Sequence, residues 1–227
     1  TGKPVFDDIF MRLPVSIKVA FLGMLLATVM GLPLGVLSAV KQYSPADSFL
    51  RVASTVLVAM PTFWLAMLLI LVFALYLGWL PAGGALTWQS YILPTITVGV
   101  PYGSKVLRMT RSTMLEEIRQ DYVRTARSKG VPEKKVIYGH ALKNALLPVI
   151  TTIGSAFGAI LGGSVIAESV FNLPGLGSLI VLSIKAKDTP SVLASVLLLA
   201  VFFALIMLIV DLVYAFIDPR IKAKYAK

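Results

Sequence analysis

The sequence predicts an all-α protein that crosses a membrane several times. Three observations point there. Of 227 residues, 57% are hydrophobic and 14% are charged, against about 25% charged in an ordinary soluble domain. The mean hydropathy is +0.85, more apolar side chain than one water-solvated core of this size can hide. The uncharged runs are also long enough for helices that span a bilayer, which takes about 20 mostly apolar residues each.

The runs can be taken in order. Lys18 and Lys41 bound an uncharged stretch over 19–40, which predicts a span at 15–40. Residues 52–104 carry no charge. That length suits two helices, at 53–77 and 91–112, separated by the turn-rich Gly78-Trp79-Leu80-Pro81-Ala82-Gly83-Gly84. Lys143 and Glu168 bound a fourth span at 145–167, and Asp188 and Asp211 bound a fifth at 191–215. Residues 1–14 precede the spans as an external segment with a short helix, and 218–227 form a tail.

The charge is lopsided, with 21 Lys+Arg against 11 Asp+Glu and a net charge of +10. The hydropathy excludes a nucleic-acid binder, so the excess reads as an orientation signal: short loops rich in Lys and Arg stay cytoplasmic. Connection 41–51, connection 105–143 and the tail hold 16 of the 21 bases. They alternate with loop 78–90, which is uncharged, and loop 168–190. The first set is therefore expected on the cytoplasmic side, with Trp79, Trp88 and Tyr91 at the outer interface. Five spans with the C-terminus inside leave the N-terminus outside. This predicts one preceding span, six in all.

The stretch at 113–146 reads as a cytoplasmic hairpin. Thr113 and Glu116 have the capping-box spacing of a helix start. Leu115, Ile118, Tyr122 and Ala126 follow at helical spacing, Gly130 suits a helix stop, and Pro132 can open the next helix at its first position. The second helix carries Val136, Ile137, Ala141, Leu142 and Ala145 into the fourth span. Two capped helices exceed what a topology-setting loop needs and suggest a docking surface.

The residues Asp121-Tyr122-Val123-Arg124-Thr125-Ala126-Arg127-Ser128-Lys129-Gly130, with His140-Ala141-Leu142-Lys143-Asn144-Ala145-Leu146-Leu147-Pro148, closely resemble the EAA-loop signature of ABC importer permeases. The match is to the B-type subunit of the peptide/nickel branch, where Arg124-Thr125-Ala126 takes the place of Glu-Ala-Ala. The stretches Arg108 to Glu116, Asn172-Leu173-Pro174-Gly175-Leu176-Gly177, Asp211 to Arg220 and Gly2 to Pro14 resemble other parts of the same branch. The resemblance implies a type I ABC importer permease fold with six spans. It also implies a division of labour. The permease carries no catalytic site or cofactor, and ATP and Mg act on two partner ATPase subunits seated on the hairpin. A second permease and an extracytoplasmic binding protein complete the expected assembly in a bacterial or archaeal cytoplasmic membrane. Asp121, Tyr122, Arg124, Thr125, Ala126, Lys129, Gly130 and Pro132 are the expected coupling residues. The expected cargo is a di- or oligopeptide, with a nickel or other metal chelate or an opine as the alternative within the branch.

Other features carry weaker expectations. Gly154, Gly158 and Gly162 form a small-residue stripe, read first as close packing within the chain and second as an interface to the other permease. Pro33, Pro61, Pro94 and Pro101 lie in or near spans and can mark broken helices. Glu168 reads as a solvated, gate-region or structural acid at the outer end of its span, and Asp211, an acid within the last span, as a gate acid or a structural one in an interfacial salt bridge or helix-end contact. Lys18 is placed to snorkel to the outer interface. His140 stands without a second His or any Cys, so no metal site is expected. A zinc protease would need H-E-x-x-H, which is absent. A secondary transporter, the more distant alternative, would show midplane charges or internal repeats.

Overall fold

The computed structural model describes residues 5–217; the side chains of Asp211 and of residues 213–217 are outside that description. Among the described residues the regular elements are all helical. α1 runs Val5–Val40, α2 Pro45–Ala59 and α3 Thr62–Leu69, the last continuing as a π-helical stretch Ile70–Tyr76. A 3-10 turn at Trp88–Tyr91 leads into α4, Ile92–Ile118. α5 spans Asp121–Ser128. α6, Glu133–Lys135, passes through a π-helical stretch, Val136–Ala141, into α7, Leu142–Val170. α8 covers Leu176–Lys185 and α9 Thr189–Ile217.

By length and composition, α1, the α6–α7 continuation and α9 can each cross a membrane, and α2 with α3 can do so as a bent pair. The 27 residues of α4 are long enough, but its second half carries Lys105, Arg108, Arg111, Glu116 and Glu117. The short helix expected outside and the first span are one helix of 36 residues, about 54 Å at 1.5 Å per residue.

The single span expected at 53–77 is instead two helices bent by 104°. The break sits at Met60-Pro61. Proline disfavours helical backbone in the residue before it, and Met60 is extended (φ −68°, ψ 128°). Pro61 in turn accepts the first bonds of α3 through its carbonyl, from Trp64 and Leu65 N–H. Loop 168–190 also contains α8, which the charge-gap reading passed over. Its apolar residues Leu176, Leu179 and Ile180 are buried at helical spacing.

α1 against α4 forms the centre of the molecule. Gly23, Ala27, Gly31 and Gly35 recur every four residues on the buried side of α1. A Cβ on Gly31 would lie 2.5 Å from the Gly103 carbonyl oxygen, and one on Gly103 would lie 3.1 Å from Ala27 Cα. The two backbones are thus in contact, which only small residues permit. Around this seam Val19, Ala20, Leu93, Val98, Ile160 and Phe171 form the main apolar core.

α7 lies against both helices and carries α9 on its other side. A Cβ on Gly154 would meet Val210 and one on Gly158 would meet the Phe203 ring, both under 3 Å. Gly162 has open space above it. The first two residues of the stripe therefore pack within the chain, and the third does not. Lys18 does not simply extend to solvent: its ammonium lies 3.9 Å from the centroid of the Tyr91 ring. Tyr91 is itself buried, while Trp79 and Trp88 are exposed.

Candidate functional site: the α5 hairpin

The hairpin begins later than the capping-box reading placed it. Thr113 lies inside α4, and its hydroxyl donates back to the Met109 and Thr110 carbonyls. No helix starts there because α4 already runs through it. The chain turns at Arg119 and Gln120, and Gln120 takes extended backbone (φ −68°, ψ 150°) as the residue before α5. This break resets the helical phase. Val123 and Ala126, not Tyr122 and Ala126, face inward.

Val123 is fully buried and Ala126 nearly so. They pack with Val36 and Ala39 at the end of α1, Met114 of α4, and Val136, Ile137, Ala141 and Ala145 of the second arm. The hairpin is thus seated on its own apolar core. A helix of eight residues is too short to persist alone in water, so this packing is what holds α5 in shape.

α5 ends as the sequence predicts. Gly130 has φ +75°, Val131 N–H donates to the Ala126 carbonyl, and Gly130 N–H donates to the Arg127 carbonyl. This is the Schellman pattern, which needs a left-handed residue after the cap. Pro132 stands just before the next helix (φ −56°, ψ 138°), one position earlier than expected, and Glu133 takes the first helical place. A two-pronged ion pair then closes the hairpin. Arg127 donates to both Glu133 carboxylate oxygens, at 2.8 and 3.1 Å. The Arg127 guanidinium holds the Glu133 carboxyl below the usual range for a glutamate.

The opposite face of α5 is free. Asp121, Tyr122, Arg124, Thr125, Ser128 and Lys129 are exposed, and Arg124 reaches only a loose 3.9 Å contact with Asp121. Tyr122 donates its hydroxyl to Glu117 at 2.5 Å. Partial burial, followed by that carboxylate, pushes the Tyr122 phenol up from its ordinary value. Of the expected coupling residues, Ala126 alone is turned into the core.

A polar cluster that sequence reasoning missed stands beside the hairpin's base. Asp47, in the first turn of α2, is fully buried. Arg111 of α4 donates to it twice, Nε to Oδ1 at 2.7 Å and a terminal nitrogen to Oδ2 at 2.9 Å. The Ser38 hydroxyl of α1 donates to Oδ1 at 2.5 Å, and Tyr43 N–H to Oδ2 at 3.0 Å. One carboxylate thus ties α1, α2 and α4 together. The available signal was a helix-start pattern, Ser44-Pro45-Ala46-Asp47, in a loop read only for its bases.

At the other end of the molecule Glu168 is fully buried, which corrects the expectation of a solvated acid. It accepts from Gly177 N–H at 2.7 Å, Ser178 N–H at 3.3 Å and the Ser164 hydroxyl at 3.0 Å. The carboxylate therefore caps the start of α8, where free N–H groups favour negative charge. The Asn172 to Gly177 turn folds over it. Asn172 is left-handed (φ +49°), and Leu173 N–H returns to the Glu168 carbonyl. A Cβ on Gly175 would collide with the Glu168 carboxylate. His140 sits in the π-helical stretch before α7, and no group of three or more His, Cys, Asp or Glu suited to a metal occurs among the described residues. The expectation for Asp211 falls on a side chain outside the described set.

Comparison with known proteins adds to this geometry. Residues 31–223 match the family model of the binding-protein-dependent transport system inner membrane component. The chain is 41% identical over 222 residues to the glutathione transport system permease protein GsiC of Escherichia coli K12, covering 98% of this chain and 72% of that protein. The GsiC of Salmonella paratyphi A matches to the same extent. Among solved structures, an inward-facing MetNI methionine ABC transporter superposes with a TM-score of 0.79 at 17% identity, over 96% of this chain and 100% of that one. An amino acid ABC transporter solved with histidines gives 0.67 at 16% identity, over 95% and 94%. At such identities these two structures speak to the fold alone.

Proposed function

Because the chain belongs to the family of binding-protein-dependent transport system inner membrane components, as an ABC importer permease of the peptide/nickel branch, we propose that it carries small peptides and is driven through α5. The observation that carries the coupling role is the two-sided build of α5. Its inner face is anchored by Val123 and Ala126, and its outer face offers Asp121, Tyr122, Arg124, Thr125 and Lys129 to a partner. In this reading two ATPase subunits bind ATP and Mg and hydrolyse the nucleotide on the cytoplasmic side, where the C-terminus also lies. A second permease completes the pathway, and an extracytoplasmic binding protein delivers the cargo.

The mechanism follows from rigidity. A short helix held on a packed core transmits displacement instead of absorbing it. When the groove that grips α5 closes, the push passes through the Arg127–Glu133 clamp and the shared core into α7, which continues from the hairpin's second arm. α7 in turn packs on α9 through Gly154 and Gly158. No covalent chemistry is asked of this chain.

A small peptide is favoured as cargo because GsiC is named for glutathione, itself a tripeptide. The test is uptake into vesicles that contain the assembled transporter and its binding protein, with labelled di- and tripeptides set against a nickel chelate. ATP-dependent uptake of a peptide supports the reading. Uptake of the chelate alone overturns the peptide assignment and leaves the permease assignment standing.

A further inference from the structure

Beyond the transport role, the flank of α2 and α4 holds a site for which that role gives no account. A cavity of about 280 Å³ is lined by Arg51, Ser54 and Thr55 of α2 and by Arg108 and Arg111 of α4. Among the described residues the only carboxylate in ion-pair distance of these arginines is Asp47, which takes two bonds from Arg111 and a looser 3.8 Å contact from Arg51. Arg108 reaches no acid among the described residues. Three guanidinium groups therefore face one carboxylate, and the cavity is left with an excess of positive charge.

The cavity is half open, and further open hollows follow it along α2. Arg51 and Thr55 also line a neighbouring hollow with Val52 and Val56. Val56 in turn borders a shallow, open cleft of about 500 Å³ lined by Ala59, Met60, Pro61, Phe63 and Trp64. The cleft exists because the chain bends by 104° at Met60-Pro61. A continuous track thus runs along α2 from arginines to an apolar notch.

We infer that this track binds an anionic phospholipid, the headgroup phosphate on Arg51 and Arg108 and an acyl chain laid along Val56 into the notch at Pro61. Charge complementarity selects the sign at one end, since an arginine fork matches phosphate oxygens with two parallel hydrogen bonds. The notch selects a long apolar chain at the other end. A free anion would leave the notch open, and a zwitterionic lipid would bring, beside its phosphate, a cationic group that the arginines repel. The position fits as well: bases close to the ends of membrane helices attract anionic headgroups.

The test uses the full-length protein, stripped of lipid in detergent and titrated with phosphatidylglycerol or phosphatidylcholine, with bound lipid counted by native mass spectrometry. Phosphatidylglycerol should be retained in preference by about tenfold. Arg51→Gln with Arg108→Gln leaves the Asp47–Arg111 pair in place and should bring the ratio close to one. Val56→Asn with Met60→Asn should weaken both lipids while the preference persists. Glycerol phosphate, a headgroup without chains, should not compete. Equal retention of the two lipids by the wild type, an unchanged ratio in the double Gln variant, or full competition by glycerol phosphate would each overturn the inference. So would a cross-link from Val56→Cys to a second permease in place of lipid. None of these readouts depends on transport, so they stand or fall apart from the proposed function.

Discussion

Arg111 grips Asp47 with two parallel hydrogen bonds, at 2.7 and 2.9 Å, across 64 residues of chain. The pair fastens the start of α2 to the second half of α4, and Ser38 brings in the end of α1. Removing one partner of a buried ion pair strands the other. Asp47→Ala should therefore lower stability by about 3–5 kcal/mol. Asp47→Leu combined with Arg111→Met should lose clearly less than Asp47→Ala alone. Thermal unfolding in detergent measures both, and equal losses in the two variants would show that the charges are not coupled.

The glycines of α7 are predicted to behave unequally. Gly158→Leu would drive a side chain into Phe203 of α9, and overpacking of this kind costs about 1–3 kcal/mol. Gly162 meets nothing, so Gly162→Leu should fold and unfold like the wild type. The comparison of the two melting temperatures checks this. A Gly162→Leu protein as unstable as Gly158→Leu would contradict the packing described for α7 on α9.

The clamp between Arg127 and Glu133 has a pH signature. Glu133 is held below its unfolded value by the arginine's hydrogen bonds. Its contribution to the hairpin is therefore complete above the ordinary glutamate value, about 4.3, and is lost as pH falls through the lower folded value. Both side chains are well exposed, so the effect is local. Hydrogen exchange at Lys129 to Val131, corrected for intrinsic rate, should quicken in that acid range. Glu133→Gln should show the quickened exchange at neutral pH and no further acid step.

Much of this was legible in the sequence, and the failures have physical causes. Uncharged runs mark where helices can lie in hydrocarbon, but they do not say where a helix bends. Pro61 bears on that directly, because its missing N–H and its effect on Met60 break the span in two. The C-terminal stop at Gly130 was readable because only a left-handed residue completes that cap. The start at Thr113 was misread, since a hydroxyl followed by a carboxylate three residues later also occurs inside a running helix. With the start misplaced by seven residues, from Thr113 to Gln120, Tyr122 was assigned to the face that Val123 occupies. The stripe at Gly154, Gly158 and Gly162 stands out in the sequence, while the same four-residue period at Gly23, Ala27, Gly31 and Gly35 marks the seam where the backbones of α1 and α4 touch. The burial of Glu168 and Asp47 was out of reach of sequence reasoning, although Ser44-Pro45-Ala46-Asp47 does mark a helix start. What buries each acid is a partner on another element, Gly177 for the one and Arg111 for the other.

The central claim is that the outward face of α5 seats an ATPase subunit. The 227 residues contain no cysteine, so Thr125→Cys introduces a single thiol on that face of the chain. Ala186→Cys, exposed at the end of α8, serves as the control. The decisive measurement is cross-linking from each thiol to the ATPase subunit in membranes holding the assembled transporter, with and without ATP. The account predicts a cross-linked product from Thr125→Cys whose yield changes with ATP, and none from Ala186→Cys. Absence of that product from Thr125→Cys in a complex that still takes up cargo would contradict it.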